Sequence, residues 1–126
     1  MNRRDYDSLE KESYMITVQA LKELGADTSE GLARCMNNEA FYLRMVGMGL
    51  ADGGFEKLRA AIENDDLDAA FEAAHALKGV MANLSLSPIA GPVGEMTELL
   101  RTRTSMDYRP LLEKVLGEKE KFTALL

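Results

Sequence analysis

The sequence predicts an all-α protein, an antiparallel helical bundle around one seamed helix, preceded by additional short helices. Three observations carry that expectation. The 126 residues include only three prolines, and no apolar–polar alternation runs far enough to make a strand. Ala, Leu, Glu, Lys and Met, which lose little on entering a helix, dominate the composition. Leu67, Ala70, Ala74, Leu77, Met81 and Leu84 recur at spacings of 3, 4, 3, 4 and 3, one apolar seam along a long helix. A chain of this length is one domain by size and buries roughly two-thirds of its unfolded surface, enough for a core without staples.

Caps and breakers divide the chain. Residues 1–16 are expected as an N-terminal extension, a tail or an extra helix, in which Asp7 and Glu10 resemble a capping box. The bundle domain is expected over 17–126. Thr17 caps a short helix from Val18 to Leu24, which Gly25 ends. Asp27-Thr28-Ser29-Glu30 opens a second short helix through about Met36, with Leu32, Cys35 and Met36 as its apolar face. Asn37 or Asn38 caps a helix over about 39–51, where Phe41, Tyr42, Met45, Val46 and Met48 form a broad apolar stripe. Asp52-Gly53-Gly54 interrupts it, and Phe55, Leu58 and Ile62 carry a helix to about Asn64, either kinked from the last or in line with it. The seamed helix follows. Five acids and no base between Glu63 and Glu72 lie at or before its N-terminus, where the helix dipole favours negative charge. Ser87-Pro88 reads as a cap and first-turn proline for a helix to about Thr104, although Pro92 should kink it or delay its start to Gly91. Asp107 caps a last helix to about Leu125, with Leu111, Leu112, Val115, Phe122 and Leu125 inward.

Small counts exclude much of the chemistry. One cysteine makes no internal disulfide, and one cysteine with one histidine cannot complete a zinc site of the usual kinds. A formal charge of −6 repels a phosphate backbone. The one basic-leaning stretch, 101–121, sets six Lys/Arg against four acids and reads as a solvated helix face. No nucleic acid, metal or cofactor is therefore expected. Met1-Asn-Arg-Arg-Asp-Tyr-Asp has no apolar run behind its charges, and the longest uncharged run, Gly79 to Gly94, is too short for a membrane span. A cytoplasmic location away from membranes is the expectation.

The only histidine, His75, falls in the middle of the seamed helix beside the core position Ala74. It belongs at the seam's edge, half toward solvent. Lys78 follows at i+3 and Gly79 at i+4, while Phe71 and Glu72 precede it by one turn. A mid-helix glycine costs about 1 kcal/mol against alanine. Gly79 therefore needs a reason, either close approach of another surface or packing against a neighbouring helix. Lys78 places a cation beside any anion held on the ring, and small alanines leave the ring uncovered. These features suit a nucleophilic imidazole with room and positive charge for a phosphoryl group.

Ala74-His75-Ala76-Leu77-Lys78-Gly79, with Ala82-Asn83-Leu84 after it, resembles the signature of the histidine-containing phosphotransfer (HPt) domain. Leu24-Gly25-Ala26-Asp27, the stretch Gly31 to Asn38 and Phe41-Tyr42-Leu43 are similar to the stand-alone bacterial form, so the resemblance runs from about Val18 to Leu126. It implies a four-helix bundle whose exposed histidine accepts a phosphoryl group from a receiver-domain aspartyl phosphate and passes it to another receiver. His75 would be the phosphorylation site, Lys78 would support the phosphoryl charge and Gly79 would give close approach. The partners would be receiver domains of response regulators or of a hybrid histidine kinase, and the chain would be a carrier, not an enzyme. Docking is expected over Phe71, His75, Lys78 and Ala82, although Phe71 could equally belong to the core. Ser85 departs from the glycine common in the family near this helix end, and Gly91-Pro92 departs from its regular next helix.

Three rivals stand beside this expectation. One is a structural adaptor with the same fold and no phosphorylation. Another is a dimeric di-metal bundle using the Glu72-x-x-His75 pattern. The third is Cys35–His75 nucleophilic catalysis, which requires the two side chains within hydrogen-bond reach.

Overall fold

Side-chain caps start the early helices where the sequence places them. In the computed structural model, which describes Ile16 to Leu126, Thr17 Oγ1 accepts from Ala20 N–H and starts α1 (Val18–Glu23). Asp27 accepts from Glu30 N–H and starts α2 (Thr28–Arg34), and Asn38 accepts from Phe41 N–H and starts α3 (Glu39–Leu50). After Asp52-Gly53 the chain forms α4 (Gly54–Glu63), a separate helix. Asp66 accepts from Ala69 N–H at the head of α5 (Leu67–Asn83), the seamed helix. Then come α6 (Ser87–Arg101) and α7 (Arg109–Thr123). No strand occurs among the described residues. The expected N-terminal extension lies outside the described residues apart from Ile16, which is buried in the core.

The helices α4, α5 and α6 each end in a turn built on one left-handed residue. Asp65, Ser85 and Arg103 have φ of 52°, 58° and 51°. At each, the next residue donates back to the preceding helix: Asp66 N–H to the Ala61 carbonyl, Leu86 N–H to Met81, Thr104 N–H to Leu99. These are αL closures usually made by glycine. Ser85 thus occupies the site where glycine would be unstrained, and its hydroxyl instead meets Arg34 and Glu30.

α5 lies between α4 and α6, and α7 packs on α6 and closes against α3 and α4. Antiparallel neighbours follow from the short turns. The seam is inward as expected: Ala70, Ala74, Leu77, Met81 and Leu84 are buried, with Leu67 half-buried. Gly49 lets α3 approach α5, since a Cβ there would run into Leu84. Tyr42 is fully buried and donates to the Leu84 carbonyl at 2.8 Å.

Several expected details are corrected. α2 ends at Arg34, so Met36 falls beyond the helix and is 90 % exposed. Phe41 and Met48 of the expected α3 stripe also face outward, because only the Tyr42, Leu43, Val46, Leu50 side meets the core. Ser87 does not cap α6: the turn at Ser85 places Leu86 at the cap, without a side-chain bond. α6 starts at Ser87 and continues through Pro92, which removes one hydrogen bond in the second turn without ending the helix. It ends at Arg101, short of Thr104. Asp107 does not cap α7: Tyr108 holds the cap position without a side-chain bond, Asp107 accepts from Arg109 N–H just before it, and the helix ends at Thr123, short of Leu125.

Candidate functional site

His75 is carried on the outer side of α5, with Ala73, Ala74 and Leu77 buried beneath it and Ala76 and Gly79 exposed beside it. The seam fixes this orientation, since Ala74 and Leu77 leave residue 75 at the rim. The imidazole stacks on Phe71, one turn back, with ring centroids 5.6 Å apart and planes 18° from parallel. Among the described residues no group hydrogen-bonds its nitrogens. Packing against Phe71 restricts the ring while leaving it accessible.

Gly79 settles one of the questions the sequence posed. Among the described residues a Cβ built there meets nothing outside its own helix within 4 Å, so none of the described helices needs this glycine for packing. The glycine leaves bare surface one turn from the imidazole. Ala82 is exposed one turn further on. Lys78 is half-exposed, and its stem crosses Gly94 of α6, where a Cβ would lie 3.7 Å from Lys78 Cε. Its Nζ reaches Glu98 Oε1 at 3.8 Å. Arg101 also pairs with Glu98, Nε to Oε2 at 3.3 Å. The Glu98 carboxyl is held below the usual carboxylate range, first by the Arg101 hydrogen bond, then by the Arg101 charge, with smaller pulls from Lys78 and His75.

Cations also stand against the Phe71 ring. Arg101 and Arg103 stand 5.2 Å and 5.0 Å from its ring centroid. Arg103 is fixed by Asp68 at 2.7 Å and by the Leu100 carbonyl at 2.5 Å. The arrangement is an open imidazole with three cations near it, Lys78 on α5, Arg101 on α6 and Arg103 in the turn after α6, each paired with a carboxylate. It is suited to receiving an anion brought from outside.

A family model for the Hpt domain matches residues 51–125. The chain belongs to the Hpt domain family. Hpt domains carry phosphoryl groups in two-component signalling and work with receiver domains. Neither curated proteins nor solved structures give a match. The family match covers α4 to α7, whereas the resemblance in the sequence runs from about Val18. Among the described residues no helix is long and apolar enough to cross a membrane.

Within this Hpt domain the structure brings His75, Lys78, Gly79 and Phe71 onto one face of α5, with Ala82 on the next turn. Phe71 is half-buried and packs on the core, with the Arg101 and Arg103 guanidinium groups over its ring. Glu72 lines the α4–α5 groove with Lys57, Ala60 and Ala69. Among the described residues no three His, Cys, Asp or Glu side chains gather as a metal site. Cys35 sits near Tyr42, which bonds the Leu84 carbonyl. Leu84 lies two and a half turns, about 13 Å, along α5 from His75. The Cys35–His75 pair is therefore not formed. Glu98, Arg101 and Arg103 also stand at this face without a signal in the sequence, where both arginines fall in the stretch expected as a solvated basic face.

Proposed function

We propose that His75 accepts a phosphoryl group from a receiver-domain aspartyl phosphate and passes it to a second receiver. The observation that carries this is the open surface at Gly79, one turn from an uncovered imidazole, in a helix whose own packing has no use for a glycine. In the transfer, an imidazole nitrogen forms the N–P bond as the acyl O–P bond breaks. The aspartate leaves as carboxylate, and the other ring nitrogen keeps its proton. Phosphoryl transfer depends on in-line positioning and charge neutralisation more than on covalent machinery. The Phe71 stack restrains the ring, Gly79 admits the donor's surface, and Lys78 balances charge on the phosphoryl oxygens. The receiver brings the acidic half of the site.

Incubation with a phosphorylated receiver domain tests this. An acid-labile, base-stable phosphoryl group should appear on the chain and be absent from His75→Gln. Persistent signalling and partner binding by His75→Gln, with no phosphorylated species from any receiver of the source organism, would replace the carrier by the adaptor.

A further inference from the structure

The geometry points to Glu98 as a built-in competitor of the phosphoryl group, holding Lys78 and Arg101 in the free carrier and so keeping phospho-His75 high in transfer potential. The inference rests on the phosphoryl-accepting role of His75 and concerns the free energy of that same site. One carboxylate holds both cations: Lys78 Nζ lies 3.8 Å from Oε1, Arg101 Nε 3.3 Å from Oε2 and Arg101 Nη2 3.4 Å from Oε1. Lys78 reaches Glu98 along a course over Gly94 of α6. The third cation, Arg103, is bound by Asp68 and the Leu100 carbonyl. The charged groups around the imidazole are then Asp68, Glu72 and Lys78 on α5, Glu98 and Arg101 on α6, and Arg103 just beyond it.

A phosphoryl group adds about two negative charges near neutral pH. It must draw Lys78 and Arg101 from a carboxylate that also repels it. That cost is present only in the phosphorylated carrier, so it drives the phosphoryl group onward. A carrier stabilised by free cations would retain its cargo.

Glu98→Gln keeps the side chain's length and removes its charge. Glu113→Gln on α7 makes the same change in net charge away from His75 and serves as the control. The first readout is the equilibrium partition of phosphoryl between this chain and a receiver domain. It should shift toward the Glu98→Gln carrier by about three- to tenfold, the size that one or two exposed ion pairs can carry, and remain unchanged for Glu113→Gln. The second readout uses phosphoramidate as chemical donor: its P–N bond breaks, ammonia leaves and the imidazole N–P bond forms. Titration of the resulting phosphohistidine by 31P NMR should move to lower pH in Glu98→Gln, because a repelling charge is lost and two cations are released.

An unchanged partition, a shift toward the receiver, or an equal shift in Glu113→Gln would overturn the inference. If phosphoramidate labels His75 but no receiver does, the receiver role falls. The 31P titration then decides the inference alone, a shift supporting it and coincident curves overturning it. Failure of both donors overturns both.

Discussion

Replacing Gly79 by alanine separates the two roles a glycine can have in mid-helix. Among the described residues, a Cβ at this position meets no heavy atom beyond its own stretch of helix within 4 Å, so the fold accommodates the methyl without rearrangement. Alanine also lowers the entropy of the unfolded chain, and the exchange stabilises an exposed helix interior by about 1 kcal/mol. Unfolding entropy is roughly 2.1 cal/mol/K per residue, about 0.26 kcal/mol/K for 126 residues, so the melting temperature should rise by about 4 °C. Phosphotransfer should move the opposite way. The methyl stands on bare surface one turn from His75, where it holds an incoming domain away, and a misplacement of about 1 Å can cost on the order of a hundredfold in rate. Scanning calorimetry with rapid-quench transfer from a phosphorylated receiver reads both effects. A lower melting temperature would show that Gly79 is required for internal packing. A higher one with an unchanged transfer rate would show that no partner approaches there.

Other substitutions probe the fold that holds the site. Gly31→Ala should destabilise by about 1–3 kcal/mol, seen as a lower urea midpoint, because its Cβ would lie 2.5 Å from the ring of Tyr42, a fully buried side chain tied to Leu84. Tyr42→Phe should cost about 1–2 kcal/mol at neutral pH by orphaning the Leu84 carbonyl. Burial, and then the charges of Cys35 and Asp27, push the Tyr42 hydroxyl up from 10.0 to about 12. The folded state thus keeps a proton that the unfolded chain releases, so this contribution is complete below pH 10.0 and is lost as pH rises toward 12. Alkaline melts should show that loss in the parent chain and a shallower one in Tyr42→Phe. Asp65→Gly should stabilise by about 1 kcal/mol, read as a higher urea midpoint, because an exposed residue at φ 52° would no longer strain against its own Cβ.

Most signals between residues close in sequence are legible in it, and cross-helix ones are not. Thr17, Asp27 and Asn38 cap the helices expected of them because capping involves residues only three apart. His75, Lys78 and Gly79 were legible for the same reason: helical spacing alone puts them on one side of α5. Met36 and Met48 were misplaced because apolar character says nothing of which side the core will occupy. Ser87 lost its capping role to a turn geometry that Ser85 imposes from two residues away. Glu98, Arg101 and Arg103 reach the site only through the register of α6 on α5, which packing along the whole seam determines. Their local spacing, Glu98 to Arg101 at i,i+3, looks like an ordinary surface pair.

The single imidazole on one open side of α5 also bears on timing. On the proposed function, donor and acceptor need the same footprint, so they cannot be seated together. Each turnover is then two separate visits, and the interval between them is governed by how fast the first visitor leaves. An abundant unphosphorylated receiver would slow the relay by occupying the only berth, which makes the relative amounts of the two receivers, as much as their chemistry, a determinant of how quickly the signal passes.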